Sequence, residues 1–229
     1  MRRPCLYYIT DRSAFPGPEA DRRRRLLDKI AEAARAGIDF IQLREKDLST
    51  HDLESLAKEA LRSIREAQPS RSEHQELRTG NWEPGTKLLV NSRTDVALAT
   101  GAGGVHLRSH DISVSDARAI WSASASHAPN PIIAVSCHTS EEIAETSAMQ
   151  ASFAVFAPVF EKIATPSAKP AGLDSLRDAC RFSIPVLALG GVTLENAKDC
   201  LNAGASGIAA IRLFQENNIA DVVLRLRSI

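Results

Sequence analysis

Phe40-Ile41-Gln42-Leu43, followed by the polar turn 44–50 and the helical stretch His51–Ala67, is one cycle of a pattern that decides the fold. A short apolar run, a polar or glycine-containing turn, and a stretch with apolar spacing near three and four recur along the chain. The other runs are Leu6–Thr10, Lys87–Val90, Gly104–Leu107, Ile132–Ser136, Phe153–Ala157, Val186–Leu189 and Ser206–Ile211, making eight in all. Strands alternating with helices of about ten or more residues imply a parallel sheet, because each crossover helix returns the chain to the same edge. Eight such units in 229 residues predict an α/β fold, a single-domain (β/α)8 TIM barrel, which typically takes about 200–250 residues. The whole chain, 1–229, is read as one domain. In this architecture chemistry sits where the strands end, so the first residues after each run are the ones that matter.

The totals exclude several classes. Lys+Arg and Asp+Glu are both 28, so the formal net charge is zero. That gives no electrostatic case for nucleic acid or a membrane surface. No run approaches the roughly 20 apolar residues that span a bilayer, and Met1-Arg2-Arg3-Pro4-Cys5 lacks the apolar stretch of a signal peptide. Cys5, Cys137, Cys180 and Cys200 form no C-x-x-C pair. This argues against a zinc site or disulfide framework and suits a reducing cytoplasm. No G-x-G-x-x-G follows the first run, which disfavours a dinucleotide-binding fold. The polar segment 68–86 reads as a surface insertion between a helix and the next strand, at the N-terminal face and away from the site.

Side chains alternate along a strand. Gln42, Arg44 and Lys46 share one parity, inside the barrel mouth, while Ile41 and Leu43 face the helices. Cations at this spacing suit a polyphosphate or a carboxylate. Asn91 and Ser92 end the third strand. Beyond the fourth, Asp111 is the metal-ligand candidate, since magnesium commonly takes one or two protein carboxylates plus substrate phosphates. His106 shares the inward parity and is expected to be packed and hydrogen-bonded; His110 is expected in exposed loop. Ser136 and His138 point one way and Cys137 the other, so Cys137 and His138 are not a dyad. His138 is a candidate for acid/base work. The long segment Pro158–Gly172 follows the sixth strand on the same face and has the length of a lid. Gly190-Gly191 and the turn at Ile211–Arg212 end the seventh and eighth strands, where barrels of this kind hold phosphate on open backbone N–H groups.

Tyr8-Ile9-Thr10-Asp11, Gln42-Leu43-Arg44-Glu45-Lys46, Val90-Asn91, Asp95–Ala99, Gly104-Val105-His106-Leu107, Val135-Ser136-Cys137-His138, Pro158-Val159-Phe160 and Leu189-Gly190-Gly191-Val192 occur in order and at fitting intervals. Together they resemble the thiamine-phosphate synthase and thiazole tautomerase superfamily over nearly the whole chain. The resemblance implies a cytoplasmic transferase of thiamine biosynthesis. It would couple hydroxymethylpyrimidine diphosphate to thiazole phosphate and release diphosphate, with no nucleic-acid or membrane partner; a homo-oligomer is left open. It further implies that Gln42, Arg44 and Lys46 hold the pyrimidine diphosphate with Asn91 and Ser136 beside it. Asp111 would bind Mg2+, Lys169 would grip diphosphate, and Gly190, Gly191, Ile211 and Arg212 would hold the thiazole phosphate. Arg44, Lys46, Ser136 and His138 form the expected catalytic set.

The chain departs from the resembling pattern at four places. Ser92 stands where the synthases carry a second metal aspartate, so the expected magnesium site is weak. Arg108-Ser109 replaces Gly-Gln, Thr165 precedes Pro166 rather than lysine, and Arg212 replaces a phosphate-loop serine. The alternatives are a tautomerase moving a proton through His138, or a catalytically weak binder of phosphorylated thiamine precursors.

Overall fold

A computed structural model describes residues 3–68, 85–124, 130–161 and 169–229. Residues 69–84, nearly all of the expected insertion, lie outside the described residues, as do 162–168 of the segment after the sixth strand.

Among the described residues, β1 (Cys5–Ile9), β2 (Phe40–Leu43), β3 (Lys87–Asn91), β4 (Gly104–Leu107), β5 (Ile132–Cys137), β6 (Phe153–Phe156), β7 (Val186–Ala188) and β8 (Gly207–Ala210) pair in sequence order. The barrel closes where β1 meets β8, with Cys5 opposite Gly207 and Tyr8 opposite Ala210. All neighbours are parallel. The helices are α1 (Glu19–Ala36), α2 (Thr50–Ala67), α3 (Thr94–Thr100), α4 (Val114–Ala123), α5 (Ser140–Ala148), α6 (Gly172–Ala179), α7 (Ala197–Asn202), α8 (Arg212–Gln215) and α9 (Ile219–Arg227). The strands match the sequence reading to within a residue or two. The helices do not all reach the expected length: α3 has 7 residues and α7 has 6. The barrel's outer surface supplies the partner that such short helices need, so packing rather than helix length sustains them.

Helix starts are set locally. Ser49, Ser113, Thr139 and Asn218 each accept a hydrogen bond from the backbone N–H three residues on, at the heads of α2, α4, α5 and α9. At α2, α4 and α5 this sets a fixed helix head close after β2, β4 and β5, at the mouth.

Strand alternation divides the core in two. Tyr7, Ile9, Phe40, Leu89, Ala134, Phe153, Val155, Leu187 and Ala209 fill the barrel interior. Leu6, Tyr8, Ile41, Leu43, Val90, Cys137 and Ile208 face the helices. Inside, Phe40 stacks on Phe153 at 5.0 Å, and Tyr7 meets both edge-on at 6.1 and 5.4 Å. Buried aromatics in these geometries contribute area plus about 0.5–1.5 kcal/mol per pair. This plug closes the barrel below the mouth and makes a floor for it. Among the described residues, no helix is long and apolar enough to cross a membrane.

Candidate active site

The interior parity carries Gln42, Asn91, His106, Ser136 and His138 to the C-terminal ends of their strands, above the aromatic floor. Gln42 is buried and its amide donates to the Tyr7 hydroxyl oxygen. Tyr7 Oη lies 3.0 Å from His106 Nδ1, and His106 Nε2 lies 2.7 Å from Ser136 Oγ. With Gln42 donating, the Tyr7 proton is directed to Nδ1, Nε2–H donates to Ser136, and the Ser136 proton is left for the mouth. Burial, and then repulsion from Arg44, pushes the His106 imidazole down from 6.5 to about 3. It is therefore neutral at working pH and can act as a fixed relay.

Gln42 sits below Arg44 and Lys46. Arg44 is partly exposed and Lys46 exposed, and neither side chain has an ion-pair partner among the described residues. Repulsion from Arg44, partial burial and repulsion from Arg108 together push the Lys46 ammonium below its usual range. Unpaired cations that repel one another call for an anionic ligand.

Between them, Glu45 has a different task. It is buried and accepts from Thr10 Oγ1 at 2.5 Å and from the Arg12 backbone N–H at 3.0 Å. Arg12 also reaches Glu45 at 3.3 Å, Asp47 at 2.6 and 2.9 Å, and Glu19 at 2.7 Å. Burial lifts the Glu45 carboxyl above its usual range despite these donors. This network ties the end of β1 to the end of β2 and so fixes the backbone carrying Arg44 and Lys46. Sequence reasoning missed it, because Arg12 lies beyond its strand and no periodicity marks it. It also missed Tyr7, although Cys5, Tyr7 and Ile9 alternate with Leu6 and Tyr8 and the inward parity was readable.

At the end of β3, Asn91 Nδ2 donates to Ser92 Oγ at 3.0 Å. Ser92 has φ 61, a left-handed conformation that favours Gly, Asn and Asp over serine. Ser92 in turn hydrogen-bonds Asp111. Asp111 is engaged chiefly by Arg108. The Arg108 backbone N–H donates to Oδ2 at 2.7 Å, its Nη2 to Oδ1 at 3.1 Å, and its Nε approaches Oδ2 at 3.5 Å. Burial alone would raise the Asp111 carboxyl, but these donors outweigh it and hold it below the usual carboxylate range. Among the described residues, no three His, Cys, Asp or Glu side chains gather as a metal-binding cluster. An incoming dication would find one carboxylate, with both oxygens already accepting from a guanidinium. These residues do not fit a metal held by the chain itself.

His138 is exposed. Its Nδ1 lies 2.6 Å from the Ala157 carbonyl oxygen and donates to it. Cys137 faces the helices, 3.3 Å from Thr146 Oγ1, and burial pushes its thiol up to about 11; the two are not a dyad. His110 is exposed. Gly190 and Gly191 have φ 97 and 65. A Cβ on Gly191 would lie 2.5 Å from the Glu161 carbonyl oxygen. Neither N–H has an acceptor among the described residues. The Gly190 carbonyl accepts from Phe160 and the Gly191 carbonyl from Asn196, at 2.9 and 3.0 Å. The carbonyls are thus anchored and the amides remain open. Ile211 precedes the short α8, and the exposed Arg212 opens it. Gln215 holds this end to β1, accepting from Tyr8 Oη at 2.9 Å and donating to the Asp11 carbonyl at 2.7 Å. Lys169 is exposed, next to the undescribed 162–168.

Fold and mouth define a class: a (β/α)8 barrel with an open, cation-lined end and anchored glycine turns opposite. The profile of the thiamine monophosphate synthase family matches residues 6–214. The thiamine-phosphate synthase of Syntrophomonas wolfei is 33% identical over 98% of this chain and 95% of its own length. That of Albidiferax ferrireducens is 33% identical over 98% and 90%. The thiamine phosphate pyrophosphorylase of Pyrococcus furiosus superposes with a TM-score of 0.75 at 28% identity, covering 99% of this chain and 95% of that one. The chain belongs to the thiamine monophosphate synthase family.

Proposed function

We propose that this chain is a thiamine-phosphate synthase, a transferase that joins hydroxymethylpyrimidine diphosphate to thiazole phosphate. The observation that carries the reading is the pair of cations, Arg44 and Lys46, without an ion-pair partner among the described residues and standing over the buried Gln42 in a member of this family. Gln42 and Asn91 supply amides to the pyrimidine side, and Lys169 adds a third cation to the diphosphate. The open amides of Gly190 and Gly191, with the turn at Ile211 and Arg212, take the thiazole phosphate.

In the reaction the bond between the pyrimidine methylene carbon and the diphosphate oxygen breaks, and its electron pair leaves with the diphosphate. The thiazole nitrogen then donates its lone pair to that carbon. The barrier is charge separation, so the chain's main task is electrostatic: Arg44 and Lys46 face the departing oxygens. Ser136, oriented by the neutral His106, donates its free proton to an oxygen of the diphosphate. The two anion sites hold the reactants in line, which removes much of the entropic cost of a bimolecular step. All four cysteines are free, which supports a cytoplasmic setting.

The test is direct. Purified protein with both substrates is expected to form thiamine phosphate and diphosphate. His138→Asn is expected to leave coupling within about tenfold of the parent, below the ~10²–10⁴-fold contribution of a working acid/base group. If no thiamine phosphate forms while the protein isomerises a thiazole carboxylate phosphate through His138, the tautomerase reading replaces this one.

A further inference from the structure

The turn after β4 locks two of its own residues together. Arg108 and Asp111 are locked together from both directions. The Arg108 N–H donates to the Asp111 carboxylate at 2.7 Å, and the Asp111 N–H donates back to the Arg108 carbonyl at 3.0 Å. The guanidinium closes onto the same carboxylate through Nη2. Its side chain is 52% exposed, whereas that of Asp111 is only 9% exposed. The pair therefore presents its positive partner to the mouth and covers its negative one. Nη1 has no acceptor among the described residues and is free to donate.

The charges around it decide what this does. Arg44 and Arg108 both stand close enough to Lys46 to repel it. Facing Arg108 is the carboxylate of Asp111, beside which Ser92 contributes a neutral hydroxyl. Asp11, which also acts on Lys46, already accepts from Ser13 Oγ at 2.6 Å. A dication entering here would have to displace a guanidinium from its carboxylate or sit beside three like charges. A phosphate oxygen needs neither, and guanidinium matches it with directed, charge-assisted donors.

We infer that Arg108 takes the electrostatic place of a divalent cation in this chain, so that Arg44, Lys46 and Arg108 grip the diphosphate without a metal ion. This rests on the proposed grip on the pyrimidine diphosphate and adds to it a named residue and a metal requirement. Asp111 becomes the group that aims Arg108, and Ser92 is tolerated because no second carboxylate is needed.

The experiment is calorimetric titration of the full chain with inorganic diphosphate, in EDTA and then in excess magnesium. The parent is expected to bind in EDTA and to gain little from magnesium. Arg108→Gln is expected to weaken binding in EDTA by ~10–100-fold, the range for one hydrogen bond to a charged group. Magnesium should recover much of that loss, because Asp111 is then free. Arg108→Lys, which keeps the charge, should fall between them. Titration with magnesium alone should show tighter binding for the Ser92→Asp, Arg108→Gln pair than for the parent. Arg108 is exposed, so both variants are expected to keep the parent's circular dichroism. A parent that binds diphosphate only with magnesium, or an Arg108→Gln that binds as tightly in EDTA as the parent, would overturn the inference. Coupling is measured separately. Metal-free binding through Arg108 without thiamine phosphate formation sinks the proposed activity alone, while coupling that strictly needs magnesium sinks this inference alone.

Discussion

His106 is the residue on which the mouth's polar network turns. It is fully enclosed, neutral, and bonded on both ring nitrogens, to Tyr7 and Ser136. Its pKa is about 3 in the fold against 6.5 for an ordinary histidine. The unfolded chain therefore takes up a proton as pH drops below 6.5, while the native chain does not until near 3. Stability from this group is complete above 6.5 and is lost as pH falls through that window. The slope approaches about 1.4 kcal/mol per pH unit for one proton. Urea titrations between pH 7 and 5 are expected to show this slope in the parent and a flatter one in His106→Gln. Equal slopes would mean that His106 titrates normally. Tyr7→Phe keeps the ring's packing on Phe40 and Phe153 and removes only the hydroxyl, so it separates the relay from the aromatic floor.

The loop after β7 shows how an element's backbone becomes a site. Gly190 and Gly191 both have positive φ, and the second lies against the Glu161 carbonyl and the Phe160 side chain. Gly191→Ala would put a methyl group 2.5 Å from that oxygen and would require a left-handed alanine. A cost of about 1–3 kcal/mol is expected, with thiazole phosphate binding reduced more than diphosphate binding. Calorimetry with each ligand checks this; equal loss for both would mean that the loop serves the whole mouth rather than one anion. The strand positions were legible in the sequence because a buried parallel strand is a short apolar run, and parity then gave Gln42, His106, Ser136 and the outward Cys137. What could not be read was pairing between loops. The Arg12–Glu45–Asp47 network joins residues up to 35 apart, and Glu45 looks in sequence like a solvated acid between two bases. Asp111 was legible as a carboxylate at a strand end. That Arg108 would claim it was not, since two polar residues three apart in a turn carry no period.

At the scale of the whole molecule, the two ends of the barrel are built for different purposes. The N-terminal end is closed by ion pairing: Arg227 of α9 donates to the Pro4 carbonyl, to the Gly37 carbonyl at 3.1 Å and to Asp39 at 2.8 Å. Asp39 also accepts from the Leu6 N–H at 2.8 Å. Arg227→Ala is expected to cost about 2–3 kcal/mol, less than a fully buried pair because Asp39 stays partly exposed. It should leave diphosphate binding unchanged, since the lost contacts lie at the far end. The C-terminal end does the reverse and leaves Arg44 and Lys46 without an ion-pair partner among the described residues. The chain's formal net charge is zero, so it has no overall attraction for an anion, and any steering must come from the local excess of Arg44 and Lys46, beside the Arg108–Asp111 pair. Such fields act on encounter and are screened over about 8 Å at physiological salt. Raising sodium chloride is therefore expected to lower kcat/KM for the pyrimidine diphosphate while kcat changes little, because bound diphosphate excludes salt from the contact. Arg44→Gln should flatten the dependence as well as lower activity. An equally steep slope in Arg44→Gln, or a parent whose kcat/KM ignores salt, would show that these cations act only after the substrate has docked.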